Sequence, residues 1–385
     1  MRRLFLLVAG VVLVDMMFFA AVAPLLPHYT EELGLSKTGA GLLTAAYPAG
    51  TFVGALPAGW LAARWGVKRT LLFGLALIGS ASLVFGFANH IVLLDAARFV
   101  QGLGGGFTWA AGMAWLVSAA PPERRGELIG SGLAAAIVGV LFGPVLGGAA
   151  TVLSPEVVFG AVGLVCAGLA AAALPIPEVP PEPGSGGRAM LRALRRRDLL
   201  LGCWLITLPA LFAGAIEVLA PLHLGELGAS GVAIGVVFLI TAAVEAVLST
   251  FAGRLSDRRG SLVPIRFGLA GAAIMAALLP LPDSVVLVGA TVLVSFAMLG
   301  TFLAPSMVLV SEAAEKAGLE LALAFAISNL AWASGHMVGG AAGAAIADAT
   351  SDAVPYALLG AACAVTLAGI LSMRRSAPAR SPAAP

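Results

Sequence analysis

Long unbroken apolar runs dominate this chain, separated by short stretches that gather its Arg, Pro and Gly. Twelve runs can be drawn, at about 4–26, 38–62, 69–88, 91–117, 126–151, 156–175, 200–224, 231–254, 262–281, 284–311, 318–347 and 353–373. Most approach the roughly 20 residues that an α-helix needs to cross the hydrocarbon of a bilayer. The runs lack the apolar and polar alternation of an outer-membrane strand, so helices are predicted throughout. The first run resembles a secretory leader, because Arg2 and Arg3 precede an apolar stretch ending in Ala21-Val22-Ala23. Asp15 in its middle, Pro24 just after the would-be cleavage site and the many apolar runs beyond predict a retained helix instead.

Composition sharpens this picture. Of 385 residues, 60% are hydrophobic and 11% charged, and the mean hydropathy is +1.01. A soluble domain carries about 25% charged residues, so a water-soluble reading is excluded. The 48 glycines suit helices that approach one another closely in lipid. Net charge is only +2, which gives no basic patch for nucleic acid. Cys166, Cys203 and Cys363 fall in separate apolar runs without zinc-site spacing, and read as packing residues, so no metal and no cofactor is expected.

The placement of the charges carries more than their number. Twenty of the 22 basic residues fall in alternate connections or at the termini: Arg2 and Arg3; Arg64, Lys68 and Arg69; Arg124 and Arg125; the arginines between 188 and 197; Arg254, Arg258, Arg259 and Arg266; Lys316; and the C-terminal arginines. The exceptions are Lys37 and Arg98. This asymmetry predicts both termini in the cytoplasm, an even number of spans and a multi-pass protein of the cell membrane.

A stretch rich in Pro, Gly and Arg after residue 175 divides the chain. The predicted organisation is a six-helix bundle at 1–175, a cytoplasmic linker at 176–199, a second six-helix bundle at 200–373 and a cytoplasmic tail at 374–385. The halves repeat each other. Gly41, Gly59, Arg64 and Gly66 match Gly235, Gly253, Arg258 and Gly260 at an offset of 194, and Gly126, Gly143, Gly147 and Gly148 match Gly318, Gly335, Gly339 and Gly340 at 192. Repeats in the same orientation predict an all-α membrane protein of twelve transmembrane helices in two pseudo-symmetric bundles, with a binding cavity between them near the midplane.

Three motifs add chemistry. Gly59-Trp60-Leu61-Ala62-Ala63-Arg64-Trp65-Gly66-Val67-Lys68-Arg69 is repeated around Gly253, Asp257, Arg258 and Gly260. Its glycines allow a tight turn, and its arginines can meet helix C-terminal carbonyls. It resembles the G-x-L-A-D-R-x-G-x-K-R signature of the major facilitator superfamily. Ala63 departs from that signature: the acid that latches the cytoplasmic gate in the family is kept only as Asp257. Arg98-Phe99-Val100-Gln101-Gly102 resembles the family's R-x-x-Q-G motif, with Asp95, three residues earlier, as the expected partner of Arg98. Finally, Gly130, Gly139, Gly143-Pro144 and Gly147-Gly148 match G-x8-G-x3-G-P-x2-G-G, which in this superfamily marks drug:proton antiporters. The stripe predicts a flat groove for another helix, with a kink favoured at Pro144. Asp15 followed by Ala23-Pro24-Leu25-Leu26-Pro27-His28-Tyr29 is similar to tetracycline-type exporters.

Four acids lie deep in spans: Asp15, Asp95, Glu217 and Glu245. A carboxyl away from water can hold a proton in one state and release it in another. These acids, with Arg98, are the proton-coupling candidates. Asp15 and Glu217, on symmetry-related helices, lead them. Phe18, Phe19, Tyr47, Trp109, Trp115, Phe212, Asn329 and His336 join Asp15 and Glu217 as substrate-binding candidates, since aromatic walls suit a hydrophobic or cationic ligand. The resemblance implies a monomeric transporter in the lipid bilayer, exchanging small molecules for protons by alternating access. A carrier of one metabolite, such as a sugar, amino acid or siderophore, and a non-transporting membrane sensor or scaffold are the alternatives.

Overall fold

The computed structural model describes residues 2–119, 125–178, 196–319 and 321–375. Its helices are α1 (Arg2–Ala20), α2 (Leu26–Leu33), α3 (Lys37–Trp65), α4 (Val67–Phe87), α5 (Ile91–Ala119), α6 (Arg125–Leu153) and α7 (Pro155–Ala173), then α8 (Arg197–Glu226), α9 (Gly231–Arg259), α10 (Leu262–Leu278), α11 (Val285–Lys316), α12 (Leu321–Ala349) and α13 (Ala353–Arg375). Joined by a 3-10 turn at Ala23–Leu25, α1 and α2 make a single traverse, so the described helices form twelve rods in two bundles of six. By length and apolar composition, eight described segments can cross a membrane. The 29-residue α3, α5 and α12 sit among other helices, where small and polar residues replace lipid-facing ones. The linker residues 179–195, the tail residues 376–385 and Arg124 lie outside the described residues.

The first rod departs from the sequence reading, which ran one helix through 4–26. Pro24 has no N–H to donate, and with Pro27 it interrupts the ladder after Ala20 until the chain recoils at Leu26. Serines cap α3, α7, α9 and α11 through Ser36, Ser154, Ser230 and Ser284. The repeated loop motif ends α3 and α9 on Gly66 (φ 92°) and Gly260 (φ 83°), a backbone conformation that favours glycine, so two motif positions follow from one turn geometry.

Two pseudo-symmetric seams join the bundles: α3 against α12, and α6 against α9. Both are closest at the end of the molecule that carries Lys37. A Cβ on Gly41 would overlap Ala344 and come 2.7 Å from the Gly340 carbonyl oxygen. In the other seam, a Cβ on Gly235 would come 2.7 Å from the Pro144 carbonyl oxygen. Polar contacts reinforce this end. Lys37 Nζ donates to Asp352 at 2.6 Å, and Asp348 accepts from the hydroxyl (2.6 Å) and the amide (3.3 Å) of Thr38, placing a negative charge at the N-terminus of α3. The hydrogen bonds, ion pairs and ring contacts seen between the halves lie at this end or at mid-depth.

Candidate functional site

Asp15 is 1% exposed, a carboxyl at the centre of a membrane-length rod. Tyr47 of α3 donates its hydroxyl to Oδ1 at 2.6 Å, and Trp109 of α5 donates Nε1–H to Oδ2 at 3.0 Å. Two other helices thus supply both donors. Gly105 makes room for them, since a Cβ there would come 2.7 Å from Asp15 Oδ1 and 2.9 Å from the Tyr47 hydroxyl.

Arg98, also 1% exposed, lies with its guanidinium 4.9 Å from the centre of the Tyr47 ring. It does not pair with Asp95, contrary to the sequence expectation. Its Nη1 donates to the Phe18 carbonyl (2.8 Å) and to Gln101 Oε1 (3.2 Å), and its Nη2 donates to the Phe19 carbonyl (3.1 Å). The break after Ala20 supplies the reason. The Phe18 carbonyl keeps only a tightened bond from the Ala21 amide (3.3 Å), the Phe19 carbonyl has no backbone donor among the described residues, and a buried cation with a forked set of donors serves both. Asp95 is half-buried, and its Oδ1 has no hydrogen-bond partner.

The second half holds a matching pair. His336 of α12, 1% exposed, meets Glu217 of α8 through Nε2 and Oε2 at 3.1 Å. Glu245 of α9 is half-buried against α11, where a Cβ on Gly300 would come 2.9 Å from its Cγ, and it lies within electrostatic reach of Glu217. Phe19 stands between the two groups. Its ring is 5.4 Å from Tyr47 and 5.1 Å from both Trp332 and His336. Asn329 is half-buried on α12, three residues before Trp332 and seven before His336, hence on the same face.

Other expected site residues lie elsewhere. Phe18 is fully buried and stacks on Phe159 inside the first bundle. Trp115 is part of that same core, and Phe212 packs near Tyr356 in the second. All three are core side chains, because their helix faces point into their own bundle. Trp332 and Gly105 were missed. The four-residue spacing of Trp332 to His336 was the available signal for one, and Gly104-Gly105-Gly106 in mid-helix for the other.

The glycine stripe of α6 has a clear role. Cβ atoms on Gly139 and Gly143 would strike the backbone of α1 at Leu13 and Met17, and one on Gly147 would strike Ala21 just beyond it, while Gly148 faces Gly231 across the α6–α9 seam. At the opposite end, Lys68 Nζ donates to the carbonyls of Leu174 (2.5 Å) and Ile176 (2.8 Å), and Glu178 occupies the Gly66 turn. Arg64 lies over Trp60 (5.4 Å), while Arg69 and Arg258 are exposed. Gly59 and Gly253 have nothing within 4 Å of a Cβ position. Gly130 lies in the first turns of α6, and the side chain of Asp257 lies outside the described residues.

Twelve rods in two repeated bundles, with ionisable groups buried where the bundles meet, define a polytopic membrane protein. The Major Facilitator Superfamily pattern matches residues 8–333, and the chain belongs to that family. The chain spans only about a quarter to a third of the length of the first curated relatives it matches. It is 30% identical over 255 residues to a chloramphenicol resistance protein of Streptomyces lividans, covering 63% of this chain and 64% of that one. It is 33% identical over 121 residues to the MFS-type transporter ppzB of Metarhizium rileyi, covering 31% of this chain but only 23% of that relative's length. Among solved structures, a bacterial homologue of the human lysosomal transporter Spinster, inward-facing and occupied, superposes with a TM-score of 0.80 at 15% identity, covering 98% of each chain. A D-xylose–proton symporter superposes at 0.72 with 18% identity, covering 95% of this chain and 96% of that one.

Proposed function

We propose that this transporter exports small hydrophobic or cationic molecules in exchange for protons. The observation that carries the reading is Asp15: a carboxyl sealed at mid-membrane, held by Tyr47 and Trp109, one ring away from the Glu217–His336 pair. Such a group releases its bound partner when a proton takes its place, so proton and substrate compete for one site. The drug-resistance relatives support the substrate class. The basic end faces the cytoplasm of the cell membrane, by the positive-inside rule. The joined Lys37 end then faces outside.

The test is a proteoliposome assay of substrate-dependent proton movement under an imposed pH gradient, over a panel of lipophilic cations and neutral drugs. Several panel members should move protons with the parent protein. Asp15→Asn should abolish this while the protein still inserts. Full activity of Asp15→Asn would remove Asp15 from the mechanism, and protons moving with one sugar or amino acid alone would favour a metabolite carrier.

A further inference from the structure

We infer that Phe19 is a positioning residue that transmits the state of the Asp15 site to the Glu217–His336 pair, and so couples the first bundle to the second. The inference rests on the proton-exchange reading and adds the route by which one bundle senses the other. Phe19 has two fixed handles. Its carbonyl is held by Arg98, whose guanidinium lies over Tyr47, the residue that donates to Asp15. Its ring, only 5% exposed, packs against Tyr47 on one side and against Trp332 and His336 on the other. Among the described residues it alone has ring contacts with both Tyr47 and His336.

The position is suited to movement. Phe19 is the last residue but one of α1, and its carbonyl is held by Arg98 rather than by an amide of the next turn. When a proton or a cation changes the charge on Asp15, the Tyr47 hydroxyl and the Arg98 guanidinium are the groups that must respond. Both hold Phe19, and Phe19 presses on the ring that carries the hydrogen bond to Glu217. A coupling of this kind needs contacts that differ between two arrangements, and a ring wedged between the bundles supplies them. The charged groups around the route are Asp15, Arg98, Glu217 and His336, with Glu245 in electrostatic reach of Glu217 and Glu217 in reach of Arg98.

The test uses the full chain in lipid nanodiscs, with Cys166, Cys203 and Cys363 replaced by alanine and spin labels at Ala63 and Arg259. These two residues are exposed at the basic ends of opposite halves. Infrared difference spectra report protonation of Asp15, assigned with Asp15→Asn, while pulsed electron resonance reads the distance between the basic ends over the same pH series. In the parent, the distance should change with the Asp15 carboxyl band. In Phe19→Leu, which removes the ring at similar volume, and in Trp332→Leu, which removes the facing ring, Asp15 should still titrate while the distance change is lost. Two variants guard against one failing to fold. If both keep the distance change in step with the Asp15 band, the inference is overturned and the proton-exchange reading stands. If the ring variants abolish Asp15 titration itself, Phe19 only builds the Asp15 site and transmission is refuted. If the parent distance does not respond to pH, the proton-exchange reading falls and this inference with it.

Discussion

Gly41→Ala puts the seam between the halves to a quantitative test. The added Cβ would overlap the Cβ of Ala344 and come 2.7 Å from the Gly340 carbonyl oxygen, where ordinary contact begins near 3.4 Å. Both opposing groups belong to helix α12, backbone and alanine, with no flexible side chain to swing aside. Helices α3 and α12 must therefore part by about 1 Å at this level, and overpacking of that kind costs about 1–3 kcal/mol. The cost applies only while the seam is closed, because in a state with the Lys37 end open the methyl group meets no wall. The ratio of open to closed molecules should then rise about 5- to 150-fold. Pulsed electron resonance between spin labels at His90 and Asp283, exposed residues on loops of opposite halves at that end, reads the two populations. Gly39→Ala is the matched control: its Cβ would lie 3.5 Å from Leu35, an ordinary contact within the first half, and should leave the distances unchanged. A folded Gly41→Ala protein with the parental distance distribution would refute the role of this seam in closing the Lys37 end.

Three further outcomes follow from the same contacts. Lys37→Ala removes the 2.6 Å bond to Asp352 between side chains that are 28% and 22% exposed; a pair so open to solvent contributes about 0.2–1 kcal/mol, so the same distance measurement should show a smaller shift than Gly41→Ala. Arg98→Lys keeps the charge but not the fork that reaches the carbonyls of Phe18 and Phe19 together; one charge-assisted bond is lost, and the thermal unfolding midpoint should fall by the equivalent of about 1–3 kcal/mol. Gly102→Ala drives a Cβ into the Tyr47 carbonyl and should lower thermal stability by about 1–3 kcal/mol, whereas Gly59→Ala, with nothing within 4 Å, should be near neutral in the same melt.

Much of the architecture was legible because lipid imposes it on every residue of a span. Apolar runs placed the rods to within a few residues, and the repeated Gly66 and Gly260 marked a turn that the backbone adopts twice. The site was legible only in part, and the failures share a cause. Asp95 was chosen for Arg98 on local spacing, yet the carbonyls that Arg98 serves lie 79 and 80 residues away in the chain. They are open to Arg98 because the helix tightens and breaks after Ala20, a consequence visible only once two helices are side by side. Glu217 and His336, 119 residues apart, were each noticed as polar groups in apolar surroundings, but nothing in either segment announces the other. Phe18, Trp115 and Phe212 were chosen for their ring chemistry, and burial in the wrong direction made them core.

At their closest points the seams between the halves set glycine against backbone or alanine, and this bears on how often and how fast they can be remade. Ordering a Lys, Arg or Met side chain costs up to about 2 kcal/mol of rotamer freedom, whereas Gly and Ala have none to lose. Bringing Gly41 onto Gly340 and Gly148 onto Gly231 therefore freezes no side-chain rotamers at those positions. No rotamer search has to precede contact there. Under the proposed exchange, the Lys37 end seals and unseals in every cycle through a door with few side chains to thread, and the few long ones at that end, Lys37 foremost, set which way it rests.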